Sequence, residues 1–276
     1  MTLSEIKNIL VEGNIKLTKS LGQNFLHDGN QLRRIAASAE LVPSDKVLEI
    51  GPGLGPLTEL LIEKSSHVIA IEKDKRLIEF LKIRFASATQ LTLIGADALE
   101  YLETSKEDWS TWKVVANLPY STASRMLVML AQNPQCPCHI SVTLQREVAE
   151  RIAAPVGSSE YGLLTLLMQV RYKPLSLFKI PAGCFFPEPD VDSACISLKR
   201  HSVPLLDPAH IPLFTRLVKQ SFSQRRKMML KLLKAIWPED LLIKACLNAE
   251  ISPQTRAEQV SLAQFVRLTQ FLALHD

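Results

Sequence analysis

The sequence predicts a doubly wound α/β domain followed by a small helical one, and three observations carry that expectation. Short β-branched runs alternate with helical patterns through the first two-thirds of the chain. Glycines cluster directly after the first of those runs. Beyond His201 the strand-like runs stop and helical periodicity takes over. In order, residues 47–50 read as a strand, 51–55 as a turn and 57–64 as a helix. Residues 67–72 form the next strand and 75–84 the next helix. Strands continue at 91–94, 113–116 and 140–144, with helices at 121–132 and 146–153. Such alternation implies parallel pairing through right-handed crossovers. Residues 170–178 and 194–199 are strand-like with no full helix between them, so the sheet is expected to end in an antiparallel hairpin. Helices follow at 211–222, 227–235, 238–247 and 262–274. Two prolines in residues 201–208 mark the linker, giving domains 1–203 and 204–276.

Composition narrows the class. The 276 residues are 47% hydrophobic and 22% charged, as in ordinary globular proteins. No apolar run approaches the ~20 residues that span a bilayer. The N-terminus lacks the apolar core and cleavage site of a secretory signal, so a cytoplasmic protein with no membrane partner is expected. Five cysteines fit no disulfide framework and suit a reducing compartment. Cys136, Cys138 and His139 form one short cluster without a second ligand pair, so no metal is expected. The net charge of +4 is unevenly placed. Residues 1–205 balance their charges, whereas residues 216–234 carry seven Lys or Arg and no acid. A solvated helix face would show both signs; a phosphate backbone attracts one.

The chemistry lies at strand ends. Glu49 closes the first strand, and Gly51, Gly53 and Gly55 follow at alternate positions before a helix. Glycines there let the backbone approach a ligand, and the helix start offers free N–H groups. A dinucleotide fingerprint would need a third glycine where Pro56 stands, and no hydride-transfer constellation appears, which disfavours a nicotinamide dehydrogenase. The pattern resembles instead the first motif of Rossmann-like methyltransferases. Glu72 ends the second strand, where a carboxylate can accept from both ribose hydroxyls. Asp97 follows the third strand, where it can accept from an adenine amine. Either acid alone reads as a helix-start surface acid. Three occupied strand ends in order favour a cofactor.

Asn117-Leu118-Pro119-Tyr120 ends the fourth strand. An adenine amine is a poor nucleophile because its lone pair is delocalised into the ring. Two acceptors, the Asn117 side-chain oxygen and the Leu118 carbonyl, would draw its hydrogens toward tetrahedral geometry. Pro119 aims that carbonyl, and Tyr120 offers a face on which the base stacks. Catalysis would then be positioning and electrostatics. In residues 184–193, two prolines stiffen a loop around Phe185. That ring either sandwiches a flipped-out base against Tyr120 or is a buried Phe in a Pro-rich corner, and the segment does not choose.

With these residues in hand, the chain resembles the ribosomal RNA adenine dimethyltransferases, the family whose bacterial member is linked to kasugamycin sensitivity. Matching segments are 21–26, 49–58, 70–72, 95–97, 117–120, 145–151, 161–162, 185–194, 224–227 and 256–258, in family order over nearly the whole chain. The resemblance implies a Rossmann-like class I fold with a small helical C-terminal domain. It implies an S-adenosylmethionine site made by Asn24, Leu26, Gly51, Glu72, Asp97 and Asn117; read from the residues alone, the segment around Asn24 is a turn before a helix. It also implies dimethylation of two adjacent adenosines in a hairpin near the 3′ end of 16S rRNA, within the small ribosomal subunit or its assembly intermediate. Arg225, Arg226 and Lys227 are the expected RNA contacts. The family often has Thr and Asn soon after Lys227, whereas Met228 to Lys231 stand here. Two rivals are a large-subunit methyltransferase of the macrolide-resistance type and an rRNA-binding assembly or transcription factor without catalysis. Residues 224–227 and 256–258 favour the small-subunit reading, and intact Glu72, Asp97 and Asn117 to Tyr120 argue for catalysis.

Overall fold

The computed structural model describes residues 1–13, 15, 17, 23–224 and 226–275. The chain divides into two compact units, Met1–Ala149 with Pro174–Arg200, and Glu150–Lys173 with His201–Asp276.

Strands run in chain order as β1 (Phe25–Leu26), β2 (Lys46–Ile50), β3 (His67–Glu72), β4 (Leu91–Gly95), β5 (Trp112–Asn117), β6 (His139–Gln145), β7 (Tyr172–Ile180), β8 (Phe185–Phe186) and β9 (Ser193–Arg200). The main sheet has the order β4-β3-β2-β5-β6-β9-β7. β2 pairs in parallel with β3 and β5, β3 with β4, and β5 with β6. Chain order therefore reverses between β2 and β5, and the crevice beyond their C-terminal ends is where such sheets bind ligands. β2, β3, β5 and β6 are buried along most of their length, which explains why they read as unbroken apolar runs. β9 lies between β6 and β7 and is antiparallel to β6, which leaves β7 at the edge.

The helices of the first unit are α1 (Leu3–Glu12), α2 (Gly29–Ser38), α3 (Pro56–Lys64), α4 (Lys75–Arg84), α5 (Ala98–Thr104) and α6 (Ala123–Gln132); α7 spans Arg146–Ala153. Acids cap several of them: the Asp28 carboxylate accepts from Asn30 and Gln31, that of Asp74 from Arg76, and that of Asp97 from Leu99. α5 escaped the sequence pattern because its seven residues are too few to show a period. α6 begins two residues later than expected because the Pro119 carbonyl turns back to accept from Thr122 and Ala123.

The second unit contains α8 (Leu163–Gln169), α9 (Ile211–Ser221), α10 (Met229–Leu233), α11 (Glu239–Asn248) and α12 (Leu262–Ala273). Residues 150–173, which the sequence pattern assigns to the sheet domain, are tied to this unit by hydrogen bonds. The Tyr161 hydroxyl donates to the Val260 carbonyl at 2.9 Å, Gly157 N–H to Glu258 and His201 N–H to Arg171. The Phe222 ring lies between those of Tyr161 and Phe265. α10 is shorter than the expected 227–235, so Arg226 and Lys227 occupy the turn before it; Arg225 lies outside the described residues.

Candidate functional site: a cleft at the sheet reversal

A cleft opens at the C-terminal ends of the parallel strands. Its lining includes Asn24, Leu26, Gly51, Glu72, Asp97, Asn117, Leu118 and Tyr120. The fold thus brings together every residue expected to touch the cofactor, and all but Phe185 of those expected at the base.

The glycine turn shapes one wall. Gly51, Gly53 and Gly55 have φ of +70°, +62° and +81°, a region that side-chain-bearing residues rarely adopt. At Gly55 an added Cβ would come within 2.6 Å of the Phe85 ring. Glu72 braces this turn. Its carboxylate accepts from Gly53 N–H at 3.2 Å through one oxygen and from Asp74 N–H at 2.9 Å through the other. Each oxygen keeps lone-pair capacity for a ligand hydroxyl. Burial raises the Glu72 pKa. Asp97 accepts from the Leu99 N–H at 2.8 Å and from the Lys73 ammonium at 2.7 Å, and the bond from Lys73 lowers its pKa. Asp97 therefore caps the start of α5 and also lines the cleft. Lys73 was not anticipated, since a lysine beside an acid carries no signal of its own.

Asn117 is held in one orientation. Its amide nitrogen donates to the Asn24 carbonyl at 3.1 Å, while its Oδ1 is buried and meets no partner among the described residues. A buried acceptor without a donor costs about 1–3 kcal/mol, a cost that an N–H reaching this atom from the cleft would relieve. Asn24 acts here through its backbone, which is why its side-chain type gave no clue to its position. Leu118 follows with its N–H bonded to the Thr143 carbonyl at 3.0 Å, and the half-buried Tyr120 ring completes this wall.

Phe185 is elsewhere. β8 pairs antiparallel with β1, aligning Phe185 with Leu26 and Phe186 with Phe25. That pairing turns Phe185 into the core with Leu26, Leu32, Ile180 and Cys195, where it is 3% exposed. It does not line the cleft, so the base-sandwich reading of Phe185 gives way to the buried-corner one. Phe186 instead packs with α1 residues, and the Lys7 ammonium sits over its ring at 5.4 Å. His139 is likewise buried, with Nε2 2.8 Å from the Ser197 hydroxyl. Among the described residues no group of three or more His, Cys, Asp or Glu side chains could hold a metal ion.

Glu49 also lines the cleft and is 1% exposed, with Oε2 lacking a partner among the described residues. Burial pushes its carboxyl up to about 8. Between the ordinary value of 4.5 and about 8, the folded chain holds a proton that the unfolded chain has lost. Stability contributed here therefore falls as pH rises through that window. Relative to Glu49→Gln, the wild type is expected to lose about 1.4 kcal/mol per pH unit between pH 5 and 8. Urea unfolding of both proteins across that range measures it, and parallel curves would place the proton elsewhere.

Comparison with known proteins agrees with this architecture. A family model described as ribosomal RNA adenine dimethylase matches residues 14–274. Ribosomal RNA small subunit methyltransferase A of Chlamydia felis is 39% identical over 94% of this chain and 90% of its own length. The protein of that name from Caldanaerobacter subterraneus subsp. tengcongensis is 37% identical over 94% and 98%. Among solved structures, the 23S rRNA methyltransferase ErmE is 27% identical, with a TM-score of 0.70 over 91% of this chain and 100% of that one. A dimethyladenosine transferase from Plasmodium falciparum shares the fold, with a TM-score of 0.75 at 24% identity over 88% and 95%. With a cleft of this form and a match over nearly its full length, the chain belongs to the ribosomal RNA adenine dimethylase family.

Proposed function

We propose that this enzyme dimethylates the N6 amines of two adjacent adenosines in a hairpin near the 3′ end of 16S rRNA, within the small ribosomal subunit or its assembly intermediate. The observation that carries the chemistry is the buried Asn117 Oδ1, unpartnered among the described residues, beside the Leu118 backbone and the Tyr120 ring. The small-subunit assignment rests on the two relatives at 37–39% identity, whose names specify that subunit. The likeness to ErmE makes the large subunit the competing substrate.

The cleft fits S-adenosylmethionine by its own chemistry. Glu72 presents acceptors for ribose hydroxyls, Asp97 an acceptor for the adenine amine, and Gly51 and Gly53 leave their stretch of the lining without a Cβ; Asn24 and Leu26 line the same cleft. S-adenosylmethionine bound there would supply an electrophilic methyl for the substrate nitrogen, with its thioether as the leaving group and the displaced amine proton passing to solvent. Asn117 Oδ1 and the Leu118 carbonyl accept from the amine hydrogens, favouring a tetrahedral nitrogen as positive charge develops on it. Tyr120 stacks on the base and excludes water from one face. Incubation with labelled S-adenosylmethionine and unmodified small or large subunits tests the assignment. Label in N6-dimethyladenosine of small-subunit rRNA is expected; label confined to large subunits would overturn it.

The helical unit binds phosphates in this reading. Arg226 and Lys227 are exposed in the turn before α10, and Lys231 lines the same shallow depression. Cations on the phosphate backbone give affinity without reading bases. Replacing Arg225 and Arg226 together is expected to weaken binding to the particle while leaving cofactor affinity unchanged. For every phosphate that loses its cation, the slope of log affinity against log salt should flatten by about 0.7–0.9. A wild-type slope in filter-binding titrations would move the RNA surface off this turn. Among the described residues no helix is long and apolar enough to cross a membrane.

A further inference from the structure

Tyr120 is held at both ends. Its backbone follows the Pro119 turn, whose carbonyl accepts from Thr122 N–H at 3.1 Å and Ala123 N–H at 3.0 Å. Its hydroxyl lies 2.5 Å from the hydroxyl of Ser193, the first residue of β9, 73 positions away in sequence. Ser193 is fully buried and faces Gln145 of β6 in the strand register. The residue before it is fixed from several sides. The Asp192 carbonyl accepts from Arg146 N–H at 3.0 Å, and its carboxylate takes Ala182 N–H at 3.2 Å and the Lys179 ammonium at 2.6 Å. Ser193 is thus a rigid post, and the Tyr120 ring spans the gap from the turn to that post.

We propose that Ser193 is a positioning residue that fixes the plane of the Tyr120 ring in the cleft, and that its action is felt most in the second of the two methyl transfers. The inference rests on the reading that the target adenine stacks on Tyr120. Stacking alone lets a base slide, and the hydrogen bonds at the amine limit that sliding in the first round. An unmodified amine has two hydrogens for two acceptors, Asn117 Oδ1 and the Leu118 carbonyl. After one transfer the amine has a single hydrogen, so only one acceptor can hold it. The burden of keeping the nitrogen aligned then shifts to the stacking ring, and the tether that fixes the ring gains importance. Small misplacements of reacting atoms are costly, so loosening a ring on which alignment depends slows the step. Burial raises the Tyr120 pKa, so its hydroxyl stays protonated and able to serve the bond through the neutral range.

The test compares wild type, Ser193→Ala, Tyr120→Phe, the double variant and Tyr120→Ala on unmodified small subunits. Nucleoside analysis of the product gives the ratio of mono- to dimethyladenosine. Ser193→Ala and Tyr120→Phe should each lower the second-transfer rate by about 3- to 10-fold, the usual worth of one hydrogen bond. Each should raise the monomethyl fraction and leave cofactor affinity by calorimetry at the wild-type value. The double variant should be no worse than either single one, because both remove the same bond. Thermal unfolding and cofactor binding identify folded variants. If Ser193→Ala folds poorly, Tyr120→Phe still reports the product ratio. Additive losses, or a wild-type ratio in both single variants while Tyr120→Ala is impaired, would overturn the tether. A Tyr120→Ala enzyme with wild-type turnover would overturn the stacking reading beneath it.

Discussion

Asn117→Ala is expected to lower methyl transfer by roughly 10²–10³-fold, the loss seen when a single preorganised polar group at a reacting centre is removed. The expectation follows from the state of the side chain before substrate arrives. Its nitrogen is committed to the Asn24 carbonyl at 3.1 Å, so the oxygen is fixed in place, buried and without a donor among the described residues. An acceptor already desolvated and oriented needs no reorganisation as positive charge develops on the amine. RNA binding should change little, because the interaction strengthens toward the transition state. Asn117 also borders the proposed cofactor site, so single-turnover rates at saturating cofactor, with calorimetry on both ligands, are the measurements that separate the effects. Asn117→Asp refines the test: it keeps an acceptor but sets a carboxylate against the Asn24 carbonyl, so it too should be strongly impaired. A wild-type single-turnover rate in folded Asn117→Ala would remove this oxygen from the chemistry.

The second large effect is on cofactor affinity. Glu72→Ala is expected to weaken S-adenosylmethionine binding by roughly 1–3 kcal/mol, or about 5- to 150-fold, since two ribose hydroxyls lose their acceptors. Part of this loss is indirect. The Glu72 carboxylate also receives Gly53 N–H and Asp74 N–H, so its removal frees the glycine turn and the start of α4 as well as the ribose site. The pH dependence is a second signature. The ionised carboxylate offers the most acceptor capacity, and burial raises its pKa, so acidification should weaken binding in the wild type. In Glu72→Ala that particular fall should be missing. Titration calorimetry between pH 5 and 8 measures both, and unchanged affinity in a folded variant would unseat Glu72 as the ribose anchor.

Much of the cleft was legible in the sequence because its parts are local. The alternation of apolar runs and helices is a property of neighbours in the chain, and both-face burial of β2, β3, β5 and β6 made those runs continuous. Gly51 to Gly55, Glu72, Asp97 and Asn117 to Tyr120 each lie at or just beyond a strand end. A parallel sheet puts all such ends on one edge, so residues of the right type at strand ends must meet.

What only the tertiary structure decided depends on interactions between distant segments. Phe185 could have faced the cleft or the core, and the pairing of β8 with β1, far apart in sequence, turned it inward. Asn24 matters through a carbonyl that meets Asn117, and a backbone group leaves no trace in residue type. Ser193 reaches Tyr120 because β9 inserts beside β6 rather than following β7 at the edge. Residues 150–173 belong with the helical unit because Tyr161 finds its acceptor at Val260. The sequence by itself determined the five parallel strands and what chemistry their ends carry, since both follow from local periodicity and residue type, whereas the short elements α5, β1 and β8 gave no such signal. Which side chain faces the cleft, and what holds it there, was decided by strand insertion and long-range hydrogen bonds, whose partners local patterns do not encode.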